Sequence, residues 1–493
     1  MKRIDIILVL AFGITACADW LDVQPKTAIP GDKMFESEAG FKDVLTGFYL
    51  KMGSENLYAK ELTYGYLELL SGNYDNYPGS KSLDKTQMYE YDGLYLDLKN
   101  KIYLEMYNII ANINNFLKYL EKNRSVIKTN HYYEMMKGEA LGLRAFLHFD
   151  LLRLFGPVYS ANSSEKTIPY RKELNEKAPP RLTADEVIIH ILTDLQEAND
   201  LLEQHDPQRF GYPDLMDIDY DAFVNQRQLR MNLYAVKAVL ARVYSYKGDE
   251  ESKGKAVRYA REVISAPYFK LSESNHTLVL YEEHVFGLHV YEFNKLIDSY
   301  FSDNEFVGSI WDHTFIMEGN FNALYEFLGG GATDFRAQNS TFKSVLTNGR
   351  VYKLCRKYNQ SGYRDDYSGK NIVPLIRLSE MYYIVAECEN DKVKSAEALN
   401  TVRWTRGISY MDEIMANDNY DRPDTRPGYD NTQTVRINEI MKEYRKDFYA
   451  EGKLFYFYKH RNYKTFDRCP LTDVRGKYRW PVPDNELIFG NNN

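Results

Sequence analysis

The chain has 493 residues, 44% of them hydrophobic and 27% charged, with a formal net charge of -8. That balance excludes an intrinsically disordered chain, and its acidity argues against nucleic acid or an anionic membrane surface, which attract basic stripes. Length alone suggests about three domains, yet no Pro/Gly/Ser-rich linker or charge block divides the sequence, which reads as one large domain with long loops.

At the start, Lys2 and Arg3 precede an apolar run from Ile6 to Ile14, followed by Thr15, Ala16 and Cys17. This is the layout of a secretory signal peptide, and the run falls short of the roughly 20 residues that a spanning helix needs. A plain cleavage site requires only small residues, whereas a cysteine placed directly there adds a reactive thiol. The stretch "ITAC" is similar to the bacterial lipobox. On that likeness residues 1–16 are a lipoprotein signal peptide, and Cys17 is the acylated first residue of the mature chain, anchored by more than one acyl chain.

Farther along, "KGEALGLRAFLHFDLLRLFGPV" carries Ala140, Leu143, Leu147, Leu151 and Leu154 at spacings of three and four, predicting an amphipathic helix stopped by Gly156 and Pro157. Leu229, Leu233, Val236, Leu240 and Val243 repeat the pattern up to Gly248. Residues 229–264 therefore read as two helices joined by a polar turn. Leu240, Ala241, Tyr244, Gly248, Ala256 and Ala260 resemble the tetratricopeptide pattern, with a turn about three residues longer than that repeat's period allows. A second pair spans about 372–404, with Leu375, Leu378, Tyr382 and Val385 on one helical face. Such pairs bury their apolar faces only by stacking on neighbours. Between them, residues 266–370 alternate and turn, as in "TLVLYEEHVFGLHVYEF" and "LGGGATDF", and read as loops and short strands.

Enzyme signatures are weak. His284 and His289 lie near Glu282, Glu283 and Glu292 without HExxH spacing; "LGGGATDF" lacks the lysine and hydroxyl residue of a phosphate loop, and there is no GxSxG elbow. Asp365 and Asp366 would need a second carboxylate placed across a cleft to act as a glycosidase. No metal site, cofactor or catalytic residue is expected. Besides Cys17, only Cys355, Cys388 and Cys469 remain, an odd count with no metal spacing, which leaves one pair such as Cys355 and Cys469 open. Tyrosine is abundant, with 42 residues, and offers both helix packing and amphipathic ligand contact.

Taken in order, several stretches resemble the SusD/RagB family of Bacteroidetes lipoproteins. The opening is similar in Cys17, Leu21, Asp22, Pro25, Phe35, Leu45, Gly47 and Tyr49. The stretch "LRAFLHFDLLRLFGPV" follows, then a helix pair with Arg377, Ser379, Glu380, Tyr382, Ala386, Glu387, Asn400 and Arg403. Last come "EYRKDFYAEG", with Glu443, Arg445, Glu451 and Gly452, and the closing "WPVPDNELIFGNN". The chain departs from the family at Leu454, where arginine is usual, and at Phe457, where aspartate is usual.

The resemblance implies a mostly α fold: tetratricopeptide-like helix pairs as a scaffold, with a loop-rich face carrying short β-hairpins. The segments would be an N-terminal part of about 17–228, helix pairs near 229–265 and 372–404, and a loop-rich insertion of about 266–370. It implies a lipid-anchored protein of the outer membrane that binds, without cleaving, a glycan or other oligomer and delivers it to a SusC-like TonB-dependent transporter. Two family loops reach the binding face, here "SGNYDNYPGSKSLDKTQMYEY" and the segment around Tyr300, Trp311 and Phe335. The expected ligand contacts are Tyr74, Asp75, Tyr77 and Trp311. The alternatives are a tetratricopeptide-like protein-binding scaffold and, more weakly, a glycoside hydrolase.

Overall fold

The computed structural model describes residues 31–75, 87–173, 179–210, 221, 223–301, 315–347, 349–360 and 369–489. Cys17, Tyr77, Trp311, Asp365 and Asp366 lie outside the described residues. The architecture is mostly helical. Helix α1 (Glu38–Met52) begins where the Ser37 side chain accepts from the Gly40 amide, and α2 (Tyr66–Leu70) precedes the long α3 (Gly93–Lys122). Four helix pairs then form the scaffold: α4 (Tyr132–Phe155) with α5 (Ala184–His205), α6 (Leu233–Lys247) with α7 (Glu250–Ile264), and, beyond the insertion, α10 (Leu378–Cys388) with α11 (Lys392–Thr405) and α12 (Val435–Asp447) with α13 (Lys453–His460). Packing of α5 on α6 and of α7 on α10 stacks the first three pairs in succession.

Local chemistry explains the boundaries. A capping box closes on Thr183 and Glu186 at the start of α5. The Asn232 side chain accepts from the Ala235 amide, which starts α6 four residues later than the periodicity from Leu229 suggests. Gly248, at φ +76°, ends α6, and the Asp249 side chain accepts from the Ser252 amide to start α7 at once. The turn is therefore two residues long, not extended. Helix α4 also differs from expectation: it is buried on every side from Gly138 to Phe155, charged residues included. A Cβ on Gly142 would stand 2.6 Å from the Met231 side chain, so this central helix has no room on its small-residue positions.

The insertion holds β1 (His284–His289), α8 (Phe293–Phe301), β2 (Phe315–Met317), α9 (Glu318–Leu324) and the β3 (Phe342–Thr347) and β4 (Arg350–Cys355) hairpin. Strand order β2-β4-β3 makes one antiparallel sheet. Leu375, read above as helical, lies instead on β5 (Ile372–Arg377), which pairs antiparallel with β1. An apolar run buried on both faces fits either period, and pairing with β1 decides it. The chain closes with α14 (Asp484–Phe489). Cys355, Cys388 and Cys469 are all free thiols, the first two buried.

Candidate functional site

Two of the expected contacts on the first loop, Tyr74 and Asp75, are buried. The Tyr74 ring is buried against Tyr449, with centroids 5.7 Å apart, and its hydroxyl donates to the Tyr64 carbonyl at 2.9 Å. Such a ring offers no free face to a ligand. Asp75 is 6% exposed. Its amide donates to the Phe315 carbonyl at 3.0 Å, and its carboxylate accepts from the Met317 amide, from Asn320 Nδ2 and, at 2.9 Å, from Arg468 Nη1. Asp75 therefore stitches the start of one nominated stretch to Phe315–Asn320, within the other. Tyr77 and Trp311, the remaining two nominated contacts, lie outside the described residues. Phe335 is buried beside the Arg406 guanidinium, and Tyr300 takes Lys60 Nζ over its ring.

A buried ionic network fastens the insertion to the helix pairs. Arg377 pairs with Glu283 at 2.9 Å and Glu451 at 3.1 Å, and Arg406 with Glu283 at 2.7 Å and Asp447 at 3.2 Å. Arg336 bridges Asp334 and Glu443, which also accepts from Arg403 at 2.7 Å. Burial alone would raise the carboxyl pKa values of Asp447 and Glu443, but the surrounding guanidiniums, with Lys446 at Glu443, outweigh it and hold both well below the usual range. The residues that carried the family resemblance, Arg377, Arg403, Glu443 and Glu451, are thus internal ties. His284 also faces inward, its Nε2 at 2.9 Å from the Val279 carbonyl. Among the described residues no group of three or more His, Cys, Asp or Glu side chains could hold a metal ion.

A cluster of exposed large hydrophobics lies at and just beyond the end of α11. Trp404 sits beside Tyr410 with ring centroids 4.6 Å apart and planes inclined by 40°. Tyr410 is 70% exposed, Met411 97% and Met415 61%, three large hydrophobics within six residues. Leu328, fully exposed, belongs to the neighbouring glycine-rich turn. That turn packs against this segment closely: a Cβ on Gly330 (φ +90°) would stand 2.3 Å from an Asp412 carboxylate oxygen.

The ledge is held firmly from behind. Asn400 Nδ2 donates to the Ile414 carbonyl and its Oδ1 accepts from the Ile414 amide; Arg403 donates to the Asp412 carbonyl, and the Phe335 amide to the Arg406 carbonyl. Aromatic and thioether surface held in this way, half-buried at Trp404 and exposed at Tyr410 and Met411, takes up the flat faces of sugars or the side chains of peptides at little entropic cost. Of this stretch Asn400 and Arg403 stand out in the sequence, and Trp404 and Tyr410 do not. The available signal was "WTRGISYMDEIM", which interleaves aromatics, methionines and acids in a stretch without helical or strand period.

Residues 19–210 match a family model described as SusD-like, starch-binding, associating with the outer membrane. Residues 302–467 match the SusD family model. No curated protein matches the sequence. Among solved structures, a SusD superfamily protein from Bacteroides thetaiotaomicron superposes with a TM-score of 0.68 at 19% identity, covering 92% of this chain and 98% of that one. A SusD-like carbohydrate-binding protein from Bacteroides vulgatus gives 0.67 at 17% identity, covering 92% and 96%. NanU from B. fragilis gives 0.63 at 16% identity, covering 94% and 97%. At such identities the likeness is one of fold.

Proposed function

The chain belongs to the SusD/RagB family, and from that premise we propose that it is a lipid-anchored protein of the outer membrane, facing outward. It captures a glycan or other oligomer on its loop-rich face and delivers it, uncleaved, to a SusC-like TonB-dependent transporter. The observation that carries the capture step is the Trp404–Tyr410 ledge, with exposed Met411 and Leu328 nearby, on a base pinned by Asn400 and Arg403. Stacking there removes apolar area from water at about 25 cal/mol per Å² without first ordering a loop. The anchor is Cys17; no helix among the described residues is long and apolar enough to cross a membrane.

The test is retardation in native gels containing extracted polysaccharides, followed by calorimetry with the retarding polymer. Trp404→Ala is expected to weaken binding about tenfold, the range of an interface hot spot. Undiminished binding moves the site off the ledge. Absence of any retention, with a partner protein recovered from native membranes, turns the reading to the alternative of a protein-binding scaffold.

A further inference from the structure

A second concavity lies inside the scaffold, away from the ledge. Helices α4, α6, α10 and α13 enclose an open-mouthed cavity in which the centre of a water-sized sphere can range over about 80 Å³, room for about five waters. Aromatic rings form part of its wall, among them Tyr58, Phe146, Phe149 and Phe457. No residue of the Trp404–Tyr410 ledge lines it.

The charges along the wall are already matched. Asp150 pairs with Arg153 and accepts from the Tyr58 hydroxyl at 2.7 Å. Glu380 accepts from Arg242 at 2.7 and 2.8 Å and from Lys453 at 3.1 Å. Glu387 meets His460 at 2.8 Å, and Glu451 meets Lys357 at 2.8 Å. An entering anion or cation therefore finds no uncompensated counter-charge and would forfeit its hydration.

Three polar atoms of the wall are not matched, one of them the Tyr246 hydroxyl. The Tyr456 hydroxyl and Arg153 Nε are buried without a hydrogen-bond partner, and both residues are only 9% exposed. The Arg153 guanidinium stacks on the Tyr456 ring at 3.8 Å from its centre, which fixes the two groups side by side. Unmatched buried polar groups are costly. An apolar guest would leave both unmet, whereas a neutral guest carrying hydroxyls can accept from Arg153, exchange a hydrogen bond with Tyr456 and lay its C–H face on the rings.

We infer that this cavity is a second binding site, for a small neutral polyhydroxylated molecule of about monosaccharide size. It is independent of the ledge. The test is calorimetry of the full mature chain titrated with glucose, galactose and N-acetylglucosamine, beside Tyr456→Phe, with polymer retardation measured on the same preparations. Saturable binding by at least one of these sugars, weakened about fivefold by loss of the Tyr456 hydroxyl while polymer retention is unchanged, is the expected result. If Tyr456→Phe does not fold, Ile384→Phe, which fills the cavity, should abolish the sugar binding. No saturable binding up to about 50 mM overturns the inference and leaves a cavity that holds water only. Binding that survives both variants also overturns it, because the sugar then sits elsewhere. Loss of polymer capture with sugar binding intact would count against the proposed function alone.

Discussion

The helix-pair scaffold and the ledge at the end of α11 use the same residue types in opposite ways. In the scaffold, aromatic rings and charges are both interior: α4 buries Glu139, Arg144, Asp150 and Arg153 among leucines and phenylalanines, and Arg144 meets Asp194 with two bonds of 2.7 and 2.8 Å. On the ledge, Tyr410, Met411 and Met415 face solvent while the polar groups of Asn400 and Arg403 turn inward to hold the backbone. Inward charges fix one arrangement of a large helical body, and that arrangement lets apolar groups stand exposed without collapsing. Rigidity in one region is thus the condition for exposure in the other.

The contrast breaks most severely at the junction. Asp447 faces Arg336, Arg377 and Arg406 at 3.2 to 3.6 Å. Asp447→Ala leaves these guanidiniums short of a counter-charge, and the expected cost is about 3–5 kcal/mol. Denaturant unfolding of wild type and variant measures it. A loss below about 1 kcal/mol would mean that the insertion is held by apolar packing instead.

Glu380 sharpens the comparison through pH, with a somewhat smaller effect. Burial alone would raise its pKa, but Arg242 and Lys453 outweigh burial and bring it down from the usual 4.5 to about 2. Because the folded value lies below the unfolded one, its stabilisation is fully present above about pH 4.5 and is lost as pH falls through about 2. That contribution is about 3 kcal/mol. The stability gap between wild type and Glu380→Gln should therefore be constant from pH 7 to 5 and narrow below that. A gap that does not narrow would assign the loss to packing.

Glu380 also marks what the sequence made legible. Arg377, Glu380, Arg403, Glu443 and Glu451 stood out as motif positions, and all are buried ion-pair members. The Gly156–Pro157 stop and the pair closing at Ile264 fall where periodicity put them. The site was far less legible. In a turn-rich stretch a tyrosine looks the same whether it meets solvent or, like Tyr74, packs on Tyr449, a residue 375 positions away whose approach no local pattern announces. The aromatics of the ledge carry no period because they pack on one side only, and Leu375 fitted a helical spacing that its pairing with β1 overrode.

The smallest expected effect on stability belongs to the ledge itself. Met411 is 97% exposed and its side chain lies outside the core, so Met411→Ser should leave unfolding within about 0.5 kcal/mol of wild type. If the ledge is the capture surface, the same change removes polarizable contact area from the ligand and should weaken polymer binding about threefold, less than loss of the Trp404 ring, because an unbranched thioether contributes less area and no stacking face. Calorimetry and thermal unfolding on one preparation read both quantities. A destabilised Met411→Ser would show that Met411 is packed in solution and that the ledge is not a free surface. A stable variant with unchanged affinity would confine capture to the Trp404–Tyr410 pair. The outcome that keeps the two regions distinct is a change in affinity with no change in stability, the reverse of what an ion-pair deletion in the buried network produces.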